Sequence, residues 1–119
     1  YLDNQELGKI GEELATKYLA QNKYKIIQRN FRCKLGEIDI IAYDLKNKEL
    51  VFFEVKTRSG FEYGTPAMAV DGLKKKHLKS SASIYLYQNK LYKYDIRFDV
   101  VEIIINNGKC KVNHIKGIM

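Results

Sequence analysis

Three charged side chains lie on predicted strands that are otherwise apolar, and their types suit hydrolytic chemistry. The alternation in Glu49 to Thr57 predicts a strand with Glu54 and Lys56 on one face. The alternation in Gly36 to Tyr43 predicts another strand, in which Asp39 lies among residues that favour burial. Charges placed within such apolar runs are a local conflict of the kind that marks functional sites.

The turn between these strands decides whether the two carboxylates meet. If the hairpin loop is Lys46-Asn47 or Leu45 to Lys48, Asp39 lies directly opposite Glu54, with Cα atoms roughly 4.5–5.5 Å apart. An odd-length loop would instead place them on different faces. Paired carboxylates can share a Mg²⁺ ion that keeps waters for a substrate phosphate, with Lys56 orienting or activating the attacking water. The pattern therefore suits phosphodiester hydrolysis.

A simpler interpretation of the same residues is a solvated surface. Glu54 and Lys56 would then form an exposed ion pair of little energetic value on an edge strand, and Asp39 would cap a turn. The apolar run before Glu54, the matching Asp39 and the basic charge of the chain keep the catalytic interpretation open beside it.

Composition restricts the class of protein. The 119 residues are 45% hydrophobic and 29% charged, which excludes a disordered or collagen-like chain and favours one domain over residues 1–119. The 21 Lys and Arg against 14 Asp and Glu give a net charge of +7, which favours a polyanionic partner such as nucleic acid. The sequence contains neither a membrane span nor a signal peptide, so we expect a cytoplasmic protein.

Cysteine chemistry is not indicated. The two cysteines, Cys33 and Cys110, are far apart in sequence and are expected to be free thiols. A zinc site would have to combine both with His77 and His114, at spacings that differ from those of known zinc motifs.

Seven predicted elements must position these residues. An α/β domain of order α-β-β-β-α-β-β, in which the first three strands form a meander, follows from the hydrophobic periodicity. Asp3 and Glu6 predict a capping box, Thr65-Pro66 a helix start, and Asn107-Gly108 a hairpin. The elements are predicted at Asn4–Gln21, Tyr24–Arg32, Gly36–Tyr43, Glu49–Thr57, Pro66–Tyr87, Tyr92–Ile105 and Lys109–Ile115.

Several short motifs, in order along nearly the whole chain, carry a resemblance to a known family. Asp39 followed by Glu54-Val55-Lys56 resembles the motif of PD-(D/E)XK, or restriction-endonuclease-like, nucleases. Closer still, the chain is similar to the YraN-like proteins, a bacterial family of predicted endonucleases. The matching stretches are Gly8-x-x-Gly11-Glu12-x-x-Ala15-x-x-Tyr18-Leu19, Gly36-Glu37-Ile38-Asp39-Ile40-Ile41-Ala42, Phe53-Glu54-Val55-Lys56-x-Arg58, Gly64-x-Pro66 with Ala69-Val70 and Lys74, and Arg97-Phe98-Asp99-Val100-Val101.

The resemblance implies a restriction-endonuclease-like core, with a mixed central sheet flanked by helices, and a set of roles. Asp39, Glu54 and the Val55 carbonyl would bind Mg²⁺ or Mn²⁺, and Lys56 would be the catalytic lysine. Glu12 matches a glutamate that related Holliday junction resolvases add from the first helix, although periodicity alone does not separate it from Glu13. The proline that nominally precedes the aspartate is Ile38 in this chain.

Basic residues near this motif are candidates for nucleic-acid contact. Lys74 lies on the inward side of the second predicted helix, where it either extends outward to solvent or reaches the sheet and contacts a phosphate. The other candidates are Arg58 in the loop after the catalytic strand, with Phe61 and Tyr63, and the helix lysines Lys75, Lys76 and Lys79. His77 is interpreted as a core or rim residue.

The function expected from these observations is metal-dependent cleavage of DNA, including branched DNA. The alternatives are a nucleic-acid-binding module of recombination or repair that lacks turnover, and an RNA-directed nuclease. A homodimer is expected, because a two-fold dimer with two sites most easily cuts both strands symmetrically.

Overall fold

The predicted order of elements is confirmed. The computed structural model describes residues 3–59 and 72–119. The elements are α1 (Asn4–Gln21), β1 (Tyr24–Cys33), β2 (Gly36–Asp44), β3 (Glu49–Ser59), α2 (Gly72–Gln88), β4 (Asp95–Asn106) and β5 (Lys109–Ile115). None of the helices in these ranges could span a membrane.

Two boundaries within the described residues differ from the sequence prediction by more than one residue. The strand β3 continues to Ser59, so Arg58 belongs to a strand rather than to a loop, because β4 pairs with β3 along its whole length. The strand β4 begins at Asp95 rather than near Tyr92. The predicted helix start at Thr65-Pro66 and the loop residues Phe61 and Tyr63 lie outside the described residues.

The five strands form one mixed sheet in the order β1-β2-β3-β4-β5. β3 and β4 are parallel, whereas the other neighbouring pairs are antiparallel. Parallel neighbours require a crossover connection, and α2 lies in the connection between β3 and β4. This topology places the carboxyl ends of β3 and β4 at the same edge of the sheet.

The two helices cover opposite faces of the sheet. Ala15 of α1 packs with Ile40 in one core cluster, and Leu78 of α2 packs with Ile41 in another. Because Ile40 and Ile41 are adjacent on one strand, the two clusters lie on opposite faces, called here the α1 face and the α2 face.

The first helix begins and packs as the sequence dictates. Asp3 caps it by accepting a hydrogen bond from the Glu6 amide, and the Glu6 side chain accepts one from the Asp3 amide, so the predicted capping box is confirmed. Further along the helix, a Cβ atom at Gly11 would overlap the side chain of Thr57. Only glycine therefore allows α1 to approach β3 this closely, and that contact brings Glu12 towards the carboxyl end of β3.

The hairpin between β2 and β3 has the register that would set Asp39 opposite Glu54. Asp44 pairs with Glu49, and Ile40 pairs with Phe53. Asp44 accepts hydrogen bonds from the amides of Lys46 and Asn47, which closes the turn. The even-length loop considered above is therefore confirmed.

Regular alternation stops where this pairing ends. Ile38 packs on the α2 face and Ile40 on the α1 face, although alternation predicts that they share a face. On the neighbouring strand β1, Asn30 has a φ of 54°, a left-handed conformation, and it lies between the residues that pair with Ile40 and Ile38. The side-chain phase thus changes at Asp39, so the simple alternation predicted for β2 is wrong at this residue.

The opposite end of the sheet is held by a buried arginine. The Arg97 guanidinium donates to Asp44 at 2.9 Å, to Glu49 at 2.8 Å and to both carboxylate oxygens of Asp99. It also donates to the Tyr24 hydroxyl at 2.6 Å. One side chain therefore connects β1, the β2–β3 hairpin and β4.

Candidate active site

A cavity of about 1120 Å³ lies between the first half of α1 and the carboxyl-end region of β3. It opens where β2 and β3 stop pairing, next to the irregular segment of β1. Its lining is mostly polar and includes Glu12, Glu13, Arg29, Asn30, Glu37, Asp39, Val55 and Thr57.

Asp39 lies at the junction of the two strands. Its Oδ2 atom accepts a hydrogen bond of 2.7 Å from the backbone amide of Val55, the residue between Glu54 and Lys56. The pKa of Asp39 is raised to about 7, mainly by burial and also by the negative charges of Glu54 and other nearby carboxylates, whereas the Val55 hydrogen bond opposes the rise. Asp39 is thus fixed to the backbone of the predicted catalytic segment in a field of like charge.

Glu54 is buried on the α2 face of the sheet. It is 8% exposed, and its Oε1 atom lies 2.7 Å from the Lys74 ammonium nitrogen. The hydrogen bond to Glu54 is the main reason that the pKa of Lys74 is raised, with further support from the charge of Asp39. The interpretation in which Lys74 reaches the sheet beside the site is therefore confirmed, and its contact with a phosphate stays a prediction.

Lys56 and Arg58 follow Glu54 along the same face of β3. Lys56 is partly buried and lies beside Glu102 of β4 in the parallel register. The Arg58 guanidinium forms a short ion pair with Glu102, at 2.7 Å, and both side chains are largely buried. Lys56 therefore lies next to the candidate site, whereas Arg58 is held by Glu102 in the sheet.

The two candidate glutamates of α1 have different environments. The side chain of Glu12 is 15% exposed, and that of Glu13 is 58% exposed. Glu12 accepts hydrogen bonds from Asn30 at 2.8 Å and Arg29 at 3.2 Å, and its charge contributes to the raised pKa of Asp39. Of the two, Glu12 is the one that is electrostatically coupled to Asp39.

The remaining basic candidates lie on the outer side of α2. Lys76 and Lys79 are exposed and Lys75 is partly buried, so they give this helix a basic outer surface. His77 is also exposed and lies beside Gly36 at the edge of the α2 packing, which agrees with a rim residue. These side chains surround the Lys74 end of the helix.

The donor set fits a hard divalent ion. Mg²⁺ in proteins is bound by one or two carboxylates with the remaining positions taken by water or phosphate. Asp39 and Glu54, with the Val55 carbonyl, supply oxygen donors of this kind, and the mutual repulsion that raises the pKa of Asp39 is what a cation would relieve. Within residues 3–59 and 72–119, no three His, Cys, Asp or Glu residues form a ready metal cluster. The convergence of Asp39 and Glu54 on one ion stays a prediction.

Cys33 and Cys110 are free thiols, as the sequence predicts. His114, the other histidine considered for zinc, is bonded to Asp99 through Nε2 at 2.7 Å.

Sequence reasoning missed the residues that hold Glu12. Arg29 and Asn30 bind it from β1, across 17 and 18 positions of sequence. Asparagine tolerates a left-handed backbone better than most residues, and the asparagine at position 30 is the only sign in the sequence of the left-handed residue in β1. The contact itself depends on how α1 packs over β1, and periodicity does not reveal that.

Comparison with solved structures gives a distant likeness. A repair endonuclease from Pyrococcus abyssi matches with a TM-score of 0.42 and 19% identity. The match covers 91% of this chain and 41% of that protein, so the chain spans well under half the length of that structure.

The sequence relatives are much nearer and similar in length. The chain is 40% identical over 117 residues to a UPF0102 protein of Caldanaerobacter subterraneus, with 96% of this chain and 94% of the relative covered. It is 46% identical over 117 residues to a UPF0102 protein of Clostridium botulinum, with the same two coverages. A model described as "Uncharacterised protein family UPF0102" matches residues 11–103, so the YraN-like resemblance is confirmed and the chain belongs to the UPF0102 family.

Proposed function

We propose that this protein is a metal-dependent nuclease that hydrolyses phosphodiester bonds in DNA, including branched DNA. The observation that carries the proposal is the 2.7 Å hydrogen bond from the Val55 amide to Asp39. It fixes the Asp39 carboxylate to the residue between Glu54 and Lys56, which supports a shared role for these three side chains in one reaction.

Each group has a role that its chemistry supports. Asp39, Glu54 and the Val55 carbonyl would hold Mg²⁺ or Mn²⁺, with Glu12 as the contributor from α1. The bound cation would neutralise charge on the scissile phosphate and lower the pKa of an attacking water. The Lys56 ammonium orients that water or stabilises the charge that develops on the phosphate.

Lys74 adds a positive charge beside Glu54. In the structure its ammonium group forms an ion pair with the Glu54 carboxylate and so balances the negative charge of that group. A cation bound by Glu54 would take over that balance, and Lys74 would then be available for the phosphate. Lys75, Lys76 and Lys79 continue the positive surface along α2, where they suit backbone phosphates of a duplex.

The decisive experiment separates catalysis from binding at Lys56. In Lys56→Ala, cleavage with Mg²⁺ or Mn²⁺ should fall by on the order of 10²–10³, because the lost contact acts on developing charge. Binding to the same DNA should persist, since transition-state contacts affect rate rather than affinity. Linear, flapped and four-way substrates should be compared, and Lys109→Ala, an exposed lysine in the β4–β5 hairpin, is the matched control.

A second candidate function is a binding module that lacks turnover. It is favoured by the ion pairs that already engage two of the carboxylates, Glu54 with Lys74 and Glu12 with Arg29. Wild-type cleavage rates in Lys56→Ala would refute the proposed site. Absence of cleavage by the wild-type chain on every substrate, together with DNA binding that weakens steeply with salt, would support the binding module.

A further inference from the structure

A group of exposed tyrosines lies at the end of α2 that is remote from Lys74. Tyr87 is 74% exposed, Tyr92 is 66% exposed and Tyr94 is 48% exposed. The Tyr92 hydroxyl donates to the Tyr87 carbonyl at 3.4 Å, and the Tyr94 ring meets the Tyr43 ring edge-on with centroids 5.9 Å apart. These contacts form two pairs, Tyr87 with Tyr92 and Tyr43 with Tyr94, and the four residues are called here the tyrosine patch.

The core does not account for these rings. The same helix carries a buried tyrosine, Tyr85, whose ring packs against Phe31 and Phe52 in the core cluster of the α2 face. Tyr87, only two positions later, points away from that cluster and is mostly in solvent. Several large aromatic rings exposed together on a small domain are typical of an interaction surface.

Charge indicates what kind of partner the patch fits. Lys90 and Lys93 alternate with the tyrosines in sequence, and Lys25 of β1 pairs with Tyr43 in the sheet. All three lysines are exposed. Lysine is depleted from protein–protein interfaces, whereas aromatic rings interleaved with basic groups form the stacking surfaces of proteins that bind single strands. We infer that the tyrosine patch binds single-stranded nucleic acid by stacking of bases on its rings.

The patch and the candidate active site lie at opposite ends of α2. The helix leads from Lys74, which contacts Glu54, to Tyr87, a rise of about 20 Å at 1.5 Å per residue. At roughly 3.4 Å per stacked nucleotide, about six nucleotides cover that distance. Binding at the patch stands by itself, and only its relation to a cleaved phosphate rests on the proposed function.

The test is binding of a labelled oligothymidylate of about twelve nucleotides, compared with a blunt duplex of the same length, by fluorescence anisotropy without divalent metal. Tyr92→Ser and Tyr87→Ser should each weaken binding of the single strand by roughly 5- to 100-fold, because each removes a stacking ring. The same variants should leave duplex binding nearly unchanged. Tyr92→Phe should bind as the wild type does, because it keeps the ring and loses only the hydroxyl.

The matched control is Leu35→Ser, which removes an exposed apolar side chain in the β1–β2 turn, outside the tyrosine patch. Single-strand affinity equal to wild type in both serine variants would overturn the inference, as would equal losses on single strand and duplex. If a serine variant sediments differently from the wild type in the absence of DNA but binds oligothymidylate equally well, the patch is a contact between copies of the chain. That result would also overturn the inference. Because no metal is added, the outcome is independent of whether the chain cleaves DNA.

Discussion

Replacing Asp39 by Asn in the metal-free protein should increase its stability, and the gain should grow as pH rises. Asn keeps the shape of the side chain and an oxygen that can accept the Val55 hydrogen bond, but it removes the charge. Burial raises the pKa of Asp39 from its ordinary value of 3.8 to about 7. In that interval the folded chain keeps a proton that the unfolded chain has released, so the free energy of unfolding falls with pH.

The magnitude follows from the size of that shift. One pKa unit corresponds to about 1.4 kcal/mol, so the full effect above pH 7 is on the order of 4 kcal/mol. Between about pH 5 and pH 7 the wild type should lose about 2 kcal/mol through this one group, and above pH 7 the loss should level off. Below the ordinary pKa both states hold the proton, and the difference between variant and wild type should then no longer change with pH.

The assay is urea unfolding of wild type and variant with EDTA at about pH 5, 7 and 8. At each pH, the free energy of unfolding of the wild type is subtracted from that of the variant. This difference cancels the pH dependence of every other group, and a constant effect of the amide does not alter how the difference changes with pH. Asp44→Asn, on the same strand, is the control of opposite sign. Burial would raise the pKa of Asp44, but hydrogen bonds from Asn47 and Arg97 hold it well below its usual range, so its effect on stability should be constant above about pH 5. A gain in Asp39→Asn that is equally flat would refute the argument that this carboxylate is buried among like charges.

Two further predictions concern how the site is supported. Gly11→Ala should lower the free energy of unfolding by about 1–3 kcal/mol by overpacking against Thr57. Gly8→Ala should be neutral or stabilising, since a Cβ at Gly8 meets nothing within 4 Å, and equal effects in the two variants would contradict the proposed close approach. Arg97→Met should cost about 3–5 kcal/mol in thermal or urea unfolding, because it leaves buried carboxylates without their partner. Arg32→Met removes an exposed ion pair and should change stability by less than about 1 kcal/mol, and a similar change in Arg97→Met would show that the buried network contributes little.

The elements of this fold are readable from the sequence because local signals and burial agree. The capping pair at Asp3 and Glu6, the period of α1 and the alternation in β3 each point to the element that forms. The sequence leaves the β2–β3 hairpin open between even and odd loop lengths, and the pairing of Asp44 with Glu49 in the structure decides for the even one.

The candidate site is harder to predict from the sequence than the elements are, because it depends on departures from regular structure. Alternation places Asp39 on one face, but the phase changes at that residue, and its carboxylate instead bonds to the Val55 amide on the neighbouring strand. The choice between Glu12 and Glu13 likewise depends on the depth at which α1 packs, which Gly11 determines through Thr57. Periodicity describes elements, and these contacts lie between elements.

Two groups of charges on the sheet have opposite electrostatics, and this difference explains how the domain tolerates its candidate site. In the Arg97 network, burial would raise the pKa of Asp99, yet hydrogen bonds from His114 and Arg97 lower it, so charge there stabilises the fold above the ordinary pKa of aspartate. At the candidate site, burial and nearby carboxylates raise the pKa of Asp39, and its charged form destabilises the fold above that same value. The ion pairs and hydrogen bonds of Arg97 stabilise the folded chain. They can offset the several kcal/mol that a charged Asp39 costs, because the two groups lie on one sheet that folds as a unit. A cation bound at Asp39 and Glu54 would reverse the sign of the second contribution, so the domain should gain stability from divalent metal most strongly at the pH where Asp39 is otherwise most costly.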